Sequence, residues 1–137
     1  MKIRIANKKD LKECAFISKI SELQLNPKKY PDLKYLSQFL GPLFLIALDE
    51  DRIIGYIVGE EGKANVASIN LLVVDKEYRG RGLGKSLLQE LIKAFKKIKI
   101  KDIYLVAPKW NKRTIQFYEK EGFTKMKYYA YFTKEIK

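Results

Sequence analysis

The stretch Val74-Asp75-Lys76-Glu77-Tyr78-Arg79-Gly80-Arg81-Gly82-Leu83-Gly84-Lys85-Ser86 places three glycines and three cations between Arg79 and Lys85. An apolar run over 66–74 precedes it and reads as a strand. After it, apolar residues recur at Leu83, Leu87, Leu88, Leu91, Ile92, Phe95 and Ile98, which is helical spacing. A strand, a glycine loop and a helix in that order turn free backbone N–H groups and the positive end of the helix toward one point, and such a point suits a phosphate group. Glycine there permits positive φ or close approach of a ligand. Arg79, Arg81 and Lys85 add charge-assisted donors. The plainer reading of the same residues is a tight turn with solvated cations.

Counting separates the familiar phosphate loops. A Walker A loop ending at Gly84-Lys85-Ser86 needs its first glycine at position 79, which is Arg79. The dinucleotide pattern starting at Gly80 needs its third glycine at position 85, which is Lys85. Both miss by one position. The spacing that fits is Arg-x-x-Gly-x-Gly, as Arg79, Gly82 and Gly84.

Outward from the loop, residues 3–5 alternate as an opening strand. Asn7 and Asp10 resemble a capping box before a helix with Leu11, Ala15, Ile20 and Leu23 on its apolar side. Pro27 and Pro31 interrupt that pattern, and 32–40 predicts a second, shorter helix stopped by Gly41-Pro42. Strands at 44–48 and 53–58 flank the polar turn Asp49-Glu50-Asp51-Arg52 and form a hairpin. A further polar turn covers 59–65. C-terminal to the helix at 83–98, residues 103–107 read as a buried strand stopped by Pro108. Residues 111–121 read as a helix with Ile115 and Tyr118 on one face, ended by Gly122. From Phe123 through Tyr128, Tyr131 and Ile136 the pattern predicts two short closing strands. The order is β-α-α-β-β-β-α-β-α-β-β, within one domain spanning 1–137.

Composition limits the chemistry. The chain has 137 residues, 47% of them hydrophobic, which suffices for one buried core. No apolar run is long enough to cross a bilayer, and the N-terminus carries no apolar signal core, so a cytosolic protein is the default. Cys14 is the only cysteine and falls inside an apolar helical pattern, where it reads as a small core residue. There is no histidine, which removes the commonest general base and most metal-site patterns; no metal site is expected. Chemistry must rest on Glu, Asp, Tyr, Lys, Ser or backbone groups. The net charge of +12 fits anionic partners, and equally a Lys/Glu-rich surface of the thermophile kind.

With the loop spacing in place, the sequence resembles the GNAT superfamily of acyl-CoA-dependent N-acetyltransferases. A second signature supports it: Ile103-Tyr104-Leu105-Val106-Ala107, then Asn111, then Phe117-Tyr118-Glu119-Lys120-Glu121-Gly122-Phe123. The opening Ile3-Arg4-Ile5 followed by Asp10-Leu11 is also similar. Two positions depart from the family's habit, Lys76 where proline is common and Thr114 where alanine is frequent. Residues 20–42, which shape the acceptor pocket in the family, match nothing.

The resemblance implies an α/β (α+β) fold: a mixed central sheet of about six to seven strands flanked by about four helices, two strands splayed to admit coenzyme A. It implies acetyl-CoA as cosubstrate, with Arg79, Gly80, Arg81, Gly82, Leu83, Gly84, Lys85 and Ser86 wrapping the pyrophosphate and Asn111 joining the coenzyme site. The pantetheine arm would bond to the backbone of Leu72 and Val74. A backbone N–H near Val73 or Val74 would face the thioester carbonyl as an oxyanion donor. Tyr118 would act as general acid toward the leaving thiolate, its plainer role being an aromatic core contact. Glu60 and Glu61 are candidate bases, with ordered water or an exposed carboxylate pair as alternatives. The acceptor is an amine of a small molecule or a protein. A different class, a basic nucleic-acid-binding module, is raised by the charge and by Tyr128, Tyr129, Tyr131 and Phe132 near Lys125 and Lys127; against it, those aromatics fall where a closing strand should pack.

Overall fold

Strand β1 (Lys2–Ile5) opens the chain in a computed structural model that describes residues 1–19 and 31–137. The expected capping box forms: the Asn7 side chain accepts from the Lys9 N–H at 2.9 Å, and Asp10 accepts from the Asn7 N–H at 2.8 Å. Arg4 adds a two-point pair with Asp10 at 2.8 and 3.0 Å, tying β1 to the start of α1 (Leu11–Lys19). Ile20, Leu23 and Pro27 lie outside the described residues. Helix α2 (Leu33–Ser37) starts where Asp32 accepts from the Tyr35 N–H, and is shorter than its predicted span.

Strands β2 (Phe44–Asp49), β3 (Arg52–Glu61) and β4 (Val66–Val74) follow, then α3 (Leu83–Lys97), β5 (Asp102–Tyr104) and α4 (Lys112–Lys120). The sheet has the order β1-β2-β3-β4-β5, antiparallel throughout except for the parallel β4–β5 pair. β3 is buried from Ile53 to Gly59 because both its faces are covered. On one face Tyr56 and Val58 join Leu11, Cys14, Ile17 and Leu36 in the core. On the other, α3 buries Leu83, Leu87, Leu91 and Phe95. A Cβ at Gly59 would stand 2.6 Å from Phe95 Cζ, so only glycine lets α3 lie this close to the sheet.

Three further expectations change. β3 continues to Glu61, so the turn before β4 covers 62–65 rather than 59–65. β5 is three residues instead of five, because β4 bulges at Asn70 and stops presenting it a partner. The two closing strands do not form: residues 124–137 are exposed and without regular structure, so the described sheet has five strands rather than six to seven. Alternating side chains make a strand only where a neighbour takes its N–H and C=O groups, and this segment forms no such ladder. Four α-helices stand among the described residues, as expected. The chain divides into two units, Met1–Val106 and Ala107–Lys137.

The core also holds the one thiol. Burial pushes the Cys14 pKa up to about 12, which makes it a packing residue rather than a nucleophile. Tyr56 is fully buried, its hydroxyl 2.6 Å from Ser18 Oγ, and burial raises its pKa above the ordinary phenol value. A raised folded-state value means that Tyr56 stabilises the fold fully below its unfolded pKa of about 10, and that this contribution is lost as pH rises beyond it. We expect the melting temperature to fall from about pH 10 upward, and less steeply in Tyr56→Phe. Melting curves of both proteins across alkaline pH measure this.

Candidate active site

The site begins where β4 and β5 part. They pair only at Val66↔Asp102, Ala67↔Ile103 and Ser68↔Tyr104, and β4 then runs on through Val74 beyond the end of β5. Its other edge stays paired: Val73 lies opposite Tyr56, and the Asp75 N–H donates to the Ile54 carbonyl at 2.8 Å. Antiparallel bonding alternates, so Leu71, Val73 and Asp75 bond toward β3 while Leu72 and Val74 turn their N–H groups to the splayed side. The Val74 carbonyl accepts from Arg79 Nε at 3.2 Å.

The loop follows at once. Asp75 caps a short 3-10 turn, Lys76–Tyr78, by accepting from the Glu77 N–H at 3.1 Å. Gly80 and Gly82 then take φ of +78° and +80°, the left-handed region that side chains resist. Gly82 is the N-cap of α3 and has no side chain with which to cap it. The N–H groups of Leu83, Gly84 and Lys85 therefore stand at the helix start without a side-chain acceptor, aligned with the positive end of a four-turn dipole. Ser86 closes the first turn, with both its N–H and Oγ donating to the Gly82 carbonyl at 3.0 and 3.1 Å. Leu83 sends its side chain into the core, so only its backbone faces the loop. Arg81 places its guanidinium 5.2 Å from the centre of the Tyr78 ring. Lys85 is exposed. Such a cradle of backbone donors and cations fits the pyrophosphate of a coenzyme.

On the sheet face under α1 and α2, the bulge at Asn70 gathers a polar chain. Ser68 Oγ donates to Asn70 Oδ1 at 2.8 Å, and Asn70 Nδ2 donates to Glu60 Oε1 at 3.1 Å. Burial and, second, the charge of Glu60 raise the pKa of Tyr35 on α2. Glu61, the next residue along β3, points to the opposite face. A groove of about 360 Å³ lies here, lined by Glu60, Glu61, Gly62, Lys63, Val66, Ala67, Ser68 and Tyr104.

In the second unit, Asn111 caps α4, its side-chain oxygen accepting from the Thr114 N–H at 3.2 Å, which leaves Nδ2 as its donor. Tyr118 is buried at 7% exposure, its ring edge-on to Phe117 and Phe123 at 5.0 and 5.2 Å. Desolvation alone raises its pKa above the usual phenol value, with no hydrogen bond contributing. A neutral phenol held this way donates and does not ionise near neutral pH.

Leu72, Val73, Val74 and Arg79 to Ser86 thus stand together in the first unit, while Asn111 and Tyr118 stand in the second. Sequence reasoning passed over Ser68, Asn70 and the contacts of Asp75 and Tyr78. Ser68 and Asn70 alternate with Ala67, Ile69 and Leu71 as in a regular half-buried strand, so nothing local marked the bulge. No candidate membrane-spanning helix and no group of three or more potential metal ligands occurs among the described residues.

Comparison with known proteins identifies the family. The model of the acetyltransferase (GNAT) family matches residues 10–123. The chain is 32% identical over 133 residues to an N-alpha-acetyltransferase of Sulfurisphaera tokodaii, covering 83% of this chain and 78% of the relative. It is 29% identical over 120 residues to N-alpha-acetyltransferase 30 of Schizosaccharomyces pombe, covering 82% and 80%. The crystal structure of Ard1 from Thermoplasma volcanium superposes with a TM-score of 0.81 at 22% identity, covering 94% of this chain and 88% of that one. Nothing among these supports the nucleic-acid-binding alternative. The match extends from the capping box through the glycine loop to Phe123, and the chain accordingly belongs to the acetyltransferase (GNAT) family: it is an acyl-CoA-dependent N-acetyltransferase that uses acetyl-CoA.

Proposed function

We propose that the chain, acting as one domain in the cytosol, acetylates the α-amine at the N-terminus of a polypeptide. The coenzyme pyrophosphate rests on the N–H groups at the start of α3 within the turn from Arg79 to Ser86, with Asn111 Nδ2 as a further donor. The pantetheine arm runs along the splayed edge of β4 against Leu72 and Val74. Of the two candidate oxyanion donors, Val74 is the one whose N–H is turned to that edge; the N–H of Val73 belongs to β3. The amine nitrogen attacks the thioester carbonyl carbon, the C–S bond breaks, the amine proton leaves toward Glu60 through water, and the Tyr118 hydroxyl supports the departing thiolate.

The Glu60–Asn70–Ser68 chain carries the choice of acceptor. The chain has no histidine, the base in this reading is the Glu60 carboxylate, and a carboxylate takes a proton poorly from the ammonium form of a strongly basic amine. An α-ammonium ionises at about 7.7–8.0 and a lysine ammonium at about 10.4, so the α-amine is over two pH units easier to deprotonate. A groove of about 360 Å³ opens beside Glu60. The names of the two curated relatives point the same way.

A panel of acceptors tests the reading: peptides with free N-termini, the same peptides blocked at the N-terminus but carrying lysine, and small polyamines, with thiol release as the signal. Free-terminus peptides are expected to react fastest. Faster reaction of blocked, lysine-bearing peptides would overturn it. Glu60→Gln keeps a partner for Asn70 and removes the proton acceptor. It should lower kcat about 10-fold near neutral pH, and less above about pH 9, where the α-amine already arrives neutral.

A further inference from the structure

The turn between β2 and β3 reads in sequence as a solvated hairpin end. In the fold its two flanking residues, Asp49 and Arg52, face each other across the ladder. Each also reaches one residue of the segment leading into the glycine loop. Arg52 Nη2 donates to Asp75 Oδ2 at 2.8 Å, and Asp75 is buried. The other carboxylate oxygen of Asp75 holds the Glu77 N–H. Tyr78 donates its hydroxyl to Asp49 Oδ2 at 2.8 Å. The Tyr78 ring carries the Arg52 guanidinium at 5.7 Å and the Arg81 guanidinium at 5.2 Å. Two contacts 23 and 29 residues distant in sequence therefore fix both ends of the 3-10 turn at 76–78, and Arg79 departs from that turn to bond the Val74 carbonyl.

We propose that Arg52 and Asp49 are positioning residues for acetyl-CoA. Through Asp75 and Tyr78 they hold the glycine loop in its ligand-ready shape, so the β2–β3 turn sets coenzyme affinity without touching the reacting atoms. The physical need is clear from the loop itself. Gly80 and Gly82 are exposed, both sit at positive φ, and among the described residues no atom lies within 4 Å of where either Cβ would stand, so no packing at these two positions holds the loop. A loop of that kind samples many conformations unless its entry is fixed, and each unproductive one lowers the apparent affinity. Arg81 is the plainest beneficiary: stacked on Tyr78, its side chain is already ordered before any phosphate arrives. The proposal rests on the assignment of the glycine loop to the coenzyme pyrophosphate.

Four variants test it: Tyr78→Phe, Asp49→Asn, Arg52→Ala and Arg52→Lys, with Gly82→Val alongside. Coenzyme A affinity by calorimetry, KM for acetyl-CoA, kcat and melting temperature are measured for each. Tyr78→Phe removes one hydroxyl and no charge. It should weaken coenzyme binding and raise KM by about 3- to 10-fold, the worth of one solvent-exposed hydrogen bond, with kcat within about 2-fold. Because no charge changes, the salt dependence of binding should stay as in the parent. Arg52→Ala should act likewise, and Arg52→Lys should recover part of the loss by pairing again with Asp75. Asp49→Asn covers the case in which Arg52→Ala exposes an unpaired buried carboxylate and fails to fold. Unchanged affinity in folded Tyr78→Phe and Asp49→Asn, while Gly82→Val binds no coenzyme, overturns the positioning role alone. Retained affinity in folded Gly82→Val overturns the loop assignment beneath it. A fall in kcat at constant KM in Tyr78→Phe also defeats the proposal.

Discussion

Gly82→Val leaves a folded chain that no longer binds acetyl-CoA. Gly82 sits at φ +80°, ψ 9° as the N-cap of α3, exposed and with no atom near the place of its Cβ. The fold therefore loses no core contact and meets no clash. The backbone, however, must leave the left-handed region, because a β-branched residue held there is strained by about 1–3 kcal/mol. The loop can relieve that strain only by turning Gly82 to another conformation. That redirects the N–H groups of Leu83, Gly84 and Lys85, which converge on one point only in the present arrangement. Several backbone donors are lost together, and the expected weakening is at least about 100-fold, or close to 3 kcal/mol. Calorimetric titration with coenzyme A, beside a melting curve near that of the parent, measures it. A folded variant that binds normally refutes the phosphate assignment.

Tyr118→Phe separates chemistry from packing. The ring is buried between Phe117 and Phe123, and phenylalanine fills that space equally. Desolvation alone perturbs the hydroxyl, with no hydrogen bond contributing, so its removal leaves no orphaned partner. Stability and coenzyme affinity should barely change. A thiol ionises near 8.5, below any phenol, and burial raises Tyr118 further, so a full proton transfer to the thiolate is uphill. What the hydroxyl can supply is a hydrogen bond that strengthens as charge gathers on sulfur, felt in the transition state and little in the ground state. General-acid assistance is commonly worth about 10²–10⁴-fold, and with water taking part of the role a fall in kcat of at least about 10-fold is expected. The same raised pKa predicts that the Tyr118 contribution persists to above about pH 10 before ionisation removes it. If the hydroxyl were only part of the core, the variant would melt lower and turn over normally. Melting temperature and kcat on one preparation decide between the two.

Periodicity and local chemistry made much of this protein legible. Leu83, Leu87, Leu91 and Phe95 recur at helical spacing, and α3 covers Leu83–Lys97. Asn7 and Asp10 stand three apart, and the capping box forms because its bonds run between neighbours. The run ending at Val74 is a strand over its whole predicted length. Each of these depends on residues a turn or less apart, whose interaction the chain order guarantees. The tail shows the limit of such reasoning: the apolar pattern from Phe123 through Tyr128, Tyr131 and Ile136 suggested strands, but a strand needs a partner that its own residues cannot name.

The sequence by itself determined the strand, glycine loop and helix, and the absence of histidine that leaves the chemistry to Glu, Asp, Tyr, Lys, Ser and backbone groups. Tertiary structure alone decided that β4 bulges at Asn70 and leaves β5 after three pairs, that Val74 rather than Val73 faces the splayed edge, and that Glu60 rather than Glu61 joins the polar chain. It alone brought Arg52 to Asp75 and Asp49 to Tyr78 across 23 and 29 residues. The physical reason is the same in each case. A side chain's face depends on register, and one bulge reverses it; a long-range contact depends on how two strands are paired, which no local pattern encodes.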